Sequence, residues 1–152
     1  NEKYIYVCVI LDLFSRKVIA HGVSPKNSTY LITSTFKRAI QTRGILQELT
    51  FHSDQGAQYT SKTFRKLLRM NKIVQSCSKS GSPHDNAVAE SFFASMKREE
   101  IYRTQYKSEH QFRESIDHYI DFYNTQRPHS TLAYKTPDKF EALYAAKKST
   151  AG

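Results

Sequence analysis

YIYVCVIL, residues 4 to 11, constrains the fold more than any other stretch of the chain. It is apolar or aromatic throughout and rich in β-branched and aromatic side chains, so it reads as a strand buried on both faces. The elements that follow have to cover it. DLFSRK (12–17) makes a turn, and KVIAHGV (17–23) makes a second strand. Asn27 or Ser28 can cap a helix whose Ile32, Phe36, Ala39 and Ile40 share one face, with Gly44 as its stop. Leu49 to Phe51 is a short strand. Ser61 caps a second helix with Phe64, Leu67 and Leu68 inward, and Ile73 to Cys77 is another strand. Residues 78–85, with Gly81 and Pro83, read as a loop. Helices are expected over about 86–103 and 108–124, the latter with Phe112, Ile116, Tyr119, Ile120 and Tyr123 on one face. Thr136 and Pro137 open a last helix with Phe140, Leu143 and Tyr144 inward, and the end from Lys147 is expected to fray. Strand, strand, helix, strand, helix, strand and then helices is an α/β order.

A chain of 152 residues suggests one domain. With 39% hydrophobic and 12% aromatic residues it has the composition of a globular protein. No apolar run approaches the roughly 20 residues of a membrane helix, and no signal-peptide pattern precedes the first strand. The two cysteines, Cys8 and Cys77, sit in apolar or strand-like runs and read as buried free thiols, without metal-ligand spacing. Lys and Arg number 23 against 14 Asp and Glu, a net charge of +9 that favours a polyanionic partner, most simply nucleic acid.

Against that charge Asp54 stands out. The next acid is Asp85, and between them lie Lys62, Arg65, Lys66, Arg69, Lys72 and Lys79. A lone carboxylate at a strand end in basic surroundings is either a turn-former or a group that binds something positive. Four of the bases, Lys62, Arg65, Lys66 and Arg69, lie at i, i+3, i+4 and i+7 on the outer side of their helix; an ordinary solvated face and a binding face both fit.

A second acid, Glu90, falls in the helix from 86. Ala89, Phe92, Phe93 and Met96 form its core stripe, and Glu90 lies beside that stripe. Lys97 follows Glu90 by two turns less about 20°, roughly 10 Å along the same line, with Asn86 one turn before it. Glu90 alone fits a helix surface. Taken with Asp54, it can hold Mg²⁺, which takes a few carboxylates with water and phosphate oxygens. Two such ions about 4 Å apart serve in-line attack on phosphodiesters. Lys97 would then touch DNA.

Thirty-five residues separate Asp54 from Glu90. HSDQGAQYTS followed by DNAVAESFFASMKRE at that distance resembles the catalytic core of DDE transposases and retroviral integrases, most closely the bacterial insertion-sequence-three family. YNTQRPHSTLAYKTPDKF (123–140) and DLFSRKVIA (12–20) resemble two further patterns of that family. The resemblance implies an RNase H-like fold, a mixed sheet flanked by helices. It also implies that the chain lacks the first strand, with the first catalytic acid upstream of Asn1 and Asp12 a local turn residue. The core is expected over 1–125, with a C-terminal extension at 126–152 that belongs to the same domain. Asp54 and Glu90 resemble the second and third catalytic, metal-binding acids. Lys97 resembles the family's basic residue seven positions after that glutamate, which contacts element-end DNA; Lys79, Arg98 and Arg127 are further candidate DNA contacts. The implied cofactor is Mg²⁺, with Mn²⁺ able to substitute. The implied partners are mobile-element ends and target DNA, bound by a homo-oligomer in the bacterial cytoplasm beside the nucleoid.

Three functions follow from this reading. The first is a Mg²⁺-dependent strand transferase in DNA transposition. The second is a non-catalytic DNA-binding and assembly module, in which the 62–69 stripe and the Tyr-rich helix do the work. The third is a nuclease that cuts without joining. His52 and His129 fit either phosphate contacts or packed structural roles, and Tyr119 and Tyr123 read as core.

Overall fold

The computed structural model describes residues 3–44, 48–78 and 86–150. Two compact units are formed, Asn1–Ile10 with Ile19–Ala89, and Leu11–Val18 with Glu90–Gly152.

β1 (Tyr6–Leu11) pairs with β2 (Val18–Ser24). Residues 12–17 are too few for a parallel crossover, so the pair is an antiparallel hairpin. β1 departs from the expectation of burial on both faces: Cys8 is its only fully buried residue, and Tyr6 is exposed. Its one partner among the described residues is β2, and aromatic and β-branched side chains suit a half-buried surface as well as a dry one. Cys8 is a free thiol that burial pushes up to about 11, so it stays protonated. Cys77 is also free, but only partly buried.

α1 (Thr29–Arg43) begins where expected, the Ser28 hydroxyl accepting from the Leu31 amide. It ends at Gly44, whose φ of 75° suits glycine and whose N–H reaches the Ile40 carbonyl. Leu31, Ile32, Phe36 and Ala39 are buried, and so is Thr35, its hydroxyl donating to the Leu31 carbonyl at 2.7 Å. β2 approaches α1 at Gly22, where a Cβ would stand 2.5 Å from Thr35 Oγ1.

β3 (Thr50–Ser53) and β4 (Val74–Cys77) pair in parallel, Thr50 opposite Val74 through Ser53 opposite Cys77. Between them run the short α2 (Ala57–Thr60), which sequence periodicity does not reveal, and α3 (Lys62–Met70). Ser61 caps α3 by accepting from the Phe64 amide, as expected. Phe64 and Leu68 are sealed at 0% and 1% exposure. Around Phe64 the rings of Phe51, Phe36 and Tyr59 stand at 5.2, 5.7 and 5.9 Å, distances at which aromatic pairs attract. The described strands thus form two two-stranded sheets, one antiparallel and one parallel.

α4 (Ala87–Glu99) leads into the second unit. The single helix expected to residue 103 breaks at Glu100 (φ −125°, ψ −60°) and resumes as a 3₁₀ turn, Ile101–Arg103. Tyr106 donates to the Glu100 carboxylate there. α5 (Glu109–Thr125) is capped by Ser108 and buries Ile116, Tyr119, Ile120 and Tyr123; the rings of Tyr119 and Tyr123 lie 6.3 and 4.9 Å from that of Phe92 on α4, where Met96 is buried as well. After a 3₁₀ turn at Ser130–Leu132, α6 (Pro137–Thr150) starts with Thr136 accepting from the Lys139 amide. Two expectations about α6 are corrected. Leu143 and Tyr144 are exposed at 38% and 49%, not inward. The helix also runs to Thr150 rather than fraying at Lys147, with Lys147 and Lys148 in its last turn, where cations complement the helix dipole. Phe140 and Tyr144 pack on one small target, the ring of Phe14 in the hairpin turn, at 5.1 and 4.8 Å.

Candidate active site

Asp54 follows the last residue of β3, and the chain turns on it. The Ser53 hydroxyl donates to the Asp54 carbonyl, and Asp54 Oδ1 accepts from the Gly56 amide at 2.7 Å. This is an aspartate turn of the kind short polar side chains make with the amide two residues on. A Cβ on Gly56 would stand 2.9 Å from that same Oδ1, so glycine leaves room for the carboxylate. The second oxygen, Oδ2, accepts no hydrogen bond among the described residues, and the side chain is exposed. The turn-forming reading of Asp54 is thus seen in Oδ1, and Oδ2 stays clear of the turn.

Behind Asp54 the strand end is tied down. Ser78 N–H and hydroxyl both donate to the Ser53 carbonyl, at 2.9 and 3.3 Å, and the Asn86 amide donates to the Ser78 hydroxyl at 2.8 Å. Asn86 is thus part of a buttress in the turn before α4, not the start of a polar helix edge. His52 meets Ser76 across the β3–β4 pair, Nδ1 to Oγ at 2.9 Å, while its buried Nε2 has no hydrogen-bond partner among the described residues. Burial first, then the charges of Cys8 and Asp54, holds the Tyr59 phenol above its ordinary range.

In the second unit Glu90 lies in the first turn of α4, exposed, with no hydrogen bond or ion pair among the described residues. A carboxylate there is favoured by the helix dipole. Lys97 is exposed two turns further on, and Arg98 is exposed with Nη2 3.7 Å from Glu99. Lys79 lies outside the described residues. Arg127 is engaged in a fork: Nε and Nη2 each donate at 2.8 Å to the Glu99 carboxylate, beneath which Tyr119 also donates. Its guanidinium lies 5.7 Å from the Tyr123 ring centre. The fork, the stronger two-point geometry for this pair, holds Glu99 below the usual carboxylate range. His129 is buried, its Nε2 3.4 Å from the Tyr123 carbonyl and its ring edge-on to Tyr123 at 4.5 Å, and burial holds it below its ordinary value.

The YN…RPH motif thus folds into a clasp. Asn124 receives the Val18 amide at 2.9 Å and donates to the Val18 carbonyl at 3.0 Å, pairing with β2's first residue as a neighbouring strand would. In the DLFSR turn, Asp12 accepts from the Phe14 and Ser15 amides, the turn role expected of it. Buried Ser15 donates to Glu141, and Lys17 pairs with Asp138 at 2.8 Å. Sequence reasoning missed Gly56, Ser78, Glu99 and Asn124. For Gly56 a signal existed in the D-x-G spacing; the other three are polar residues whose partners lie far along the chain. Among the described residues no three His, Cys, Asp or Glu side chains gather into one cluster. None of the helices there is long and apolar enough to cross a membrane.

The fold is that of a retroviral integrase catalytic core, which is RNase H-like. The catalytic core domain of BIV integrase superposes with a TM-score of 0.70 over 94% of this chain and 89% of that one, at 19% identity. The HTLV-2 integrase core in complex with magnesium gives 0.65 over 86% and 80%, at 17% identity. Two family models, both described as integrase core domain, match residues 1–83 and 71–137. The chain belongs to the integrase core domain family of transposases and integrases. The transposase for insertion sequence element IS904 of Lactococcus lactis is 37% identical over 93% of this chain and 56% of its own length. The chain spans about half the length of the curated relatives it matches.

Proposed function

We propose that this chain is the catalytic core of a DDE-type polynucleotidyl transferase that cleaves and joins DNA strands in transposition. The observation that carries the reading is Asp54, turned out at a strand end with one carboxylate oxygen held by Gly56 and the other without a hydrogen bond among the described residues. Glu90 is likewise an exposed carboxylate without a partner among the described residues. These hard oxygen donors fit Mg²⁺ or Mn²⁺, which take carboxylates together with water and phosphate oxygens. When bound, such an ion supplies charge stabilisation and an activated oxygen at a phosphodiester. Asp54 and Glu90 are the residues whose carboxylate oxygens would hold it. The Gly56 amide and the Ser53–Ser78–Asn86 buttress keep Asp54 from swinging. Lys97 and Arg98 offer charge to DNA phosphates. Arg127, committed to Glu99, is assigned a structural role. The overall change joins a water or DNA 3′ oxygen to phosphorus as the former 3′ oxygen leaves, with no covalent protein intermediate. The partners are element ends and target DNA, held by several copies of the chain in the cytoplasm.

Asp54→Asn and Glu90→Gln are expected to abolish cleavage and joining of labelled duplex DNA, to weaken Mn²⁺ uptake measured by calorimetry, and to leave DNA binding in place. Strand transfer persisting in either variant would refute the assignment. A wild-type chain that binds DNA but takes up no Mn²⁺ would favour the assembly-module reading, for which the basic face of α3 speaks.

A further inference from the structure

Most of the bases whose partners are visible meet acids: Lys17 with Asp138, Arg113 with Glu109 and Arg127 with Glu99, all within 2.8 Å. α3 is different. Lys62, Arg65, Lys66 and Arg69 are exposed, and none of their side chains makes a hydrogen bond or ion pair among the described residues. α3 holds no acid at all. Charges of alternating sign along a face mark a solvated, ion-paired helix, as in α5 with Glu109–Arg113 and His110–Glu114; α3 shows no such pairing among the described residues. The opposite face of α3 is fixed by Phe64 and Leu68, so the four stems project from a rigid support.

We propose that this face of α3 is a docking surface for the phosphate backbone of duplex DNA. The inference rests on the reading that the chain acts on DNA, and adds a surface that the carboxylate site does not use. The four residues span about 10 Å of helix, and one DNA strand presents about three phosphates over that length of duplex axis. Four cations without counter-charge complement that row. Arg contributes planar two-point donors and Lys compact charges. Such contacts carry no sequence information, so the surface positions DNA without selecting it. α3 follows Asp54 by a single short helix in the same unit, so DNA held there lies against the unit that bears the acid.

The test is the salt dependence of duplex binding by the full chain, read by fluorescence anisotropy. Each phosphate contact contributes about 0.9 to the slope of log affinity against log salt. Replacing Lys62, Arg65, Lys66 and Arg69 together with Gln is expected to make the slope shallower by about 3 to 4 and to weaken binding at low salt more than tenfold. Lys62→Gln with Lys66→Gln, a milder change that guards against misfolding, should give about half that slope change. A control removes the same charge elsewhere, at exposed Lys107, Lys139, Lys147 and Lys148, and should shift the slope by less than about 1. An unchanged slope in the α3 variants, or an equal change in the control, overturns the proposal. Asp54→Asn keeps the wild-type slope if the surface is right, whatever its cleavage assay shows, so the two readings fail separately.

Discussion

Gly56 and Asp54 act as one group. Gly56 has φ −55° and ψ 147°, a conformation open to any residue. Gly56→Ala therefore meets no backbone obstacle; what it meets is Asp54 Oδ1 at 2.9 Å and Gln58 Oε1 at 3.1 Å. The substitution is expected to change stability by less than about 1 kcal/mol and to lower Mn²⁺ affinity about tenfold by turning the carboxylate. Calorimetric titration beside thermal unfolding checks this; unaltered Mn²⁺ affinity would mean that the turn does not set the carboxylate. Asp54 itself was legible, because an isolated acid in a basic stretch is a strong local contrast. Its orientation was not, since a sequence cannot say which of two oxygens a turn will take. Arg127 was legible only as a basic residue in a motif; its fork with Glu99, 28 positions away, was not.

At the scale of elements, caps were the most legible feature. Ser28 and Ser61, both read as caps, each accept from an amide three residues on, a local rule written in local sequence. Long-range clasps were not legible, and Asn124 is the clearest. It sits one residue past the buried Tyr123 and reads as a helix end, yet it satisfies both backbone groups of Val18. Asn124→Ala leaves those buried groups without partners and is expected to cost about 2–4 kcal/mol in urea unfolding. A loss under about 1 kcal/mol would mean that water or a backbone shift replaces the clasp. α2 and the break at Glu100 escaped notice because four residues are too few to show a period, and the break falls where Tyr106 donates to the Glu100 side chain, a bond that periodicity does not show.

For the molecule as a whole, family and fold class were legible because three long motifs stand in order over nearly the entire chain, whereas strand pairing depends on distant partners. Stability against pH is a property at this scale. Burial holds His129 below its ordinary 6.5, so the unfolded chain takes that proton first. The neutral ring's contribution is present above 6.5 and lost as pH falls through the lower folded value. Glu99, held below 4.5 chiefly by its hydrogen bond to Arg127, contributes above 4.5 and loses that contribution as pH falls through its own folded value. Urea midpoints are therefore expected to decline in two stages on acidification. His129→Gln should remove the first stage and Glu99→Gln the second; a decline unchanged in both variants would place the titrating groups elsewhere.

The Asn124 clasp also sets an order of events during synthesis. Its two partners are 106 residues apart, and a ribosome adding about 5–20 residues per second needs roughly 5–20 s to cross that gap. For that interval the emerging hairpin carries at Val18 an open backbone edge, the kind that recruits other strands. Nascent chains of this protein therefore pass through a period of exposure that ends only when α5 emerges and closes the edge.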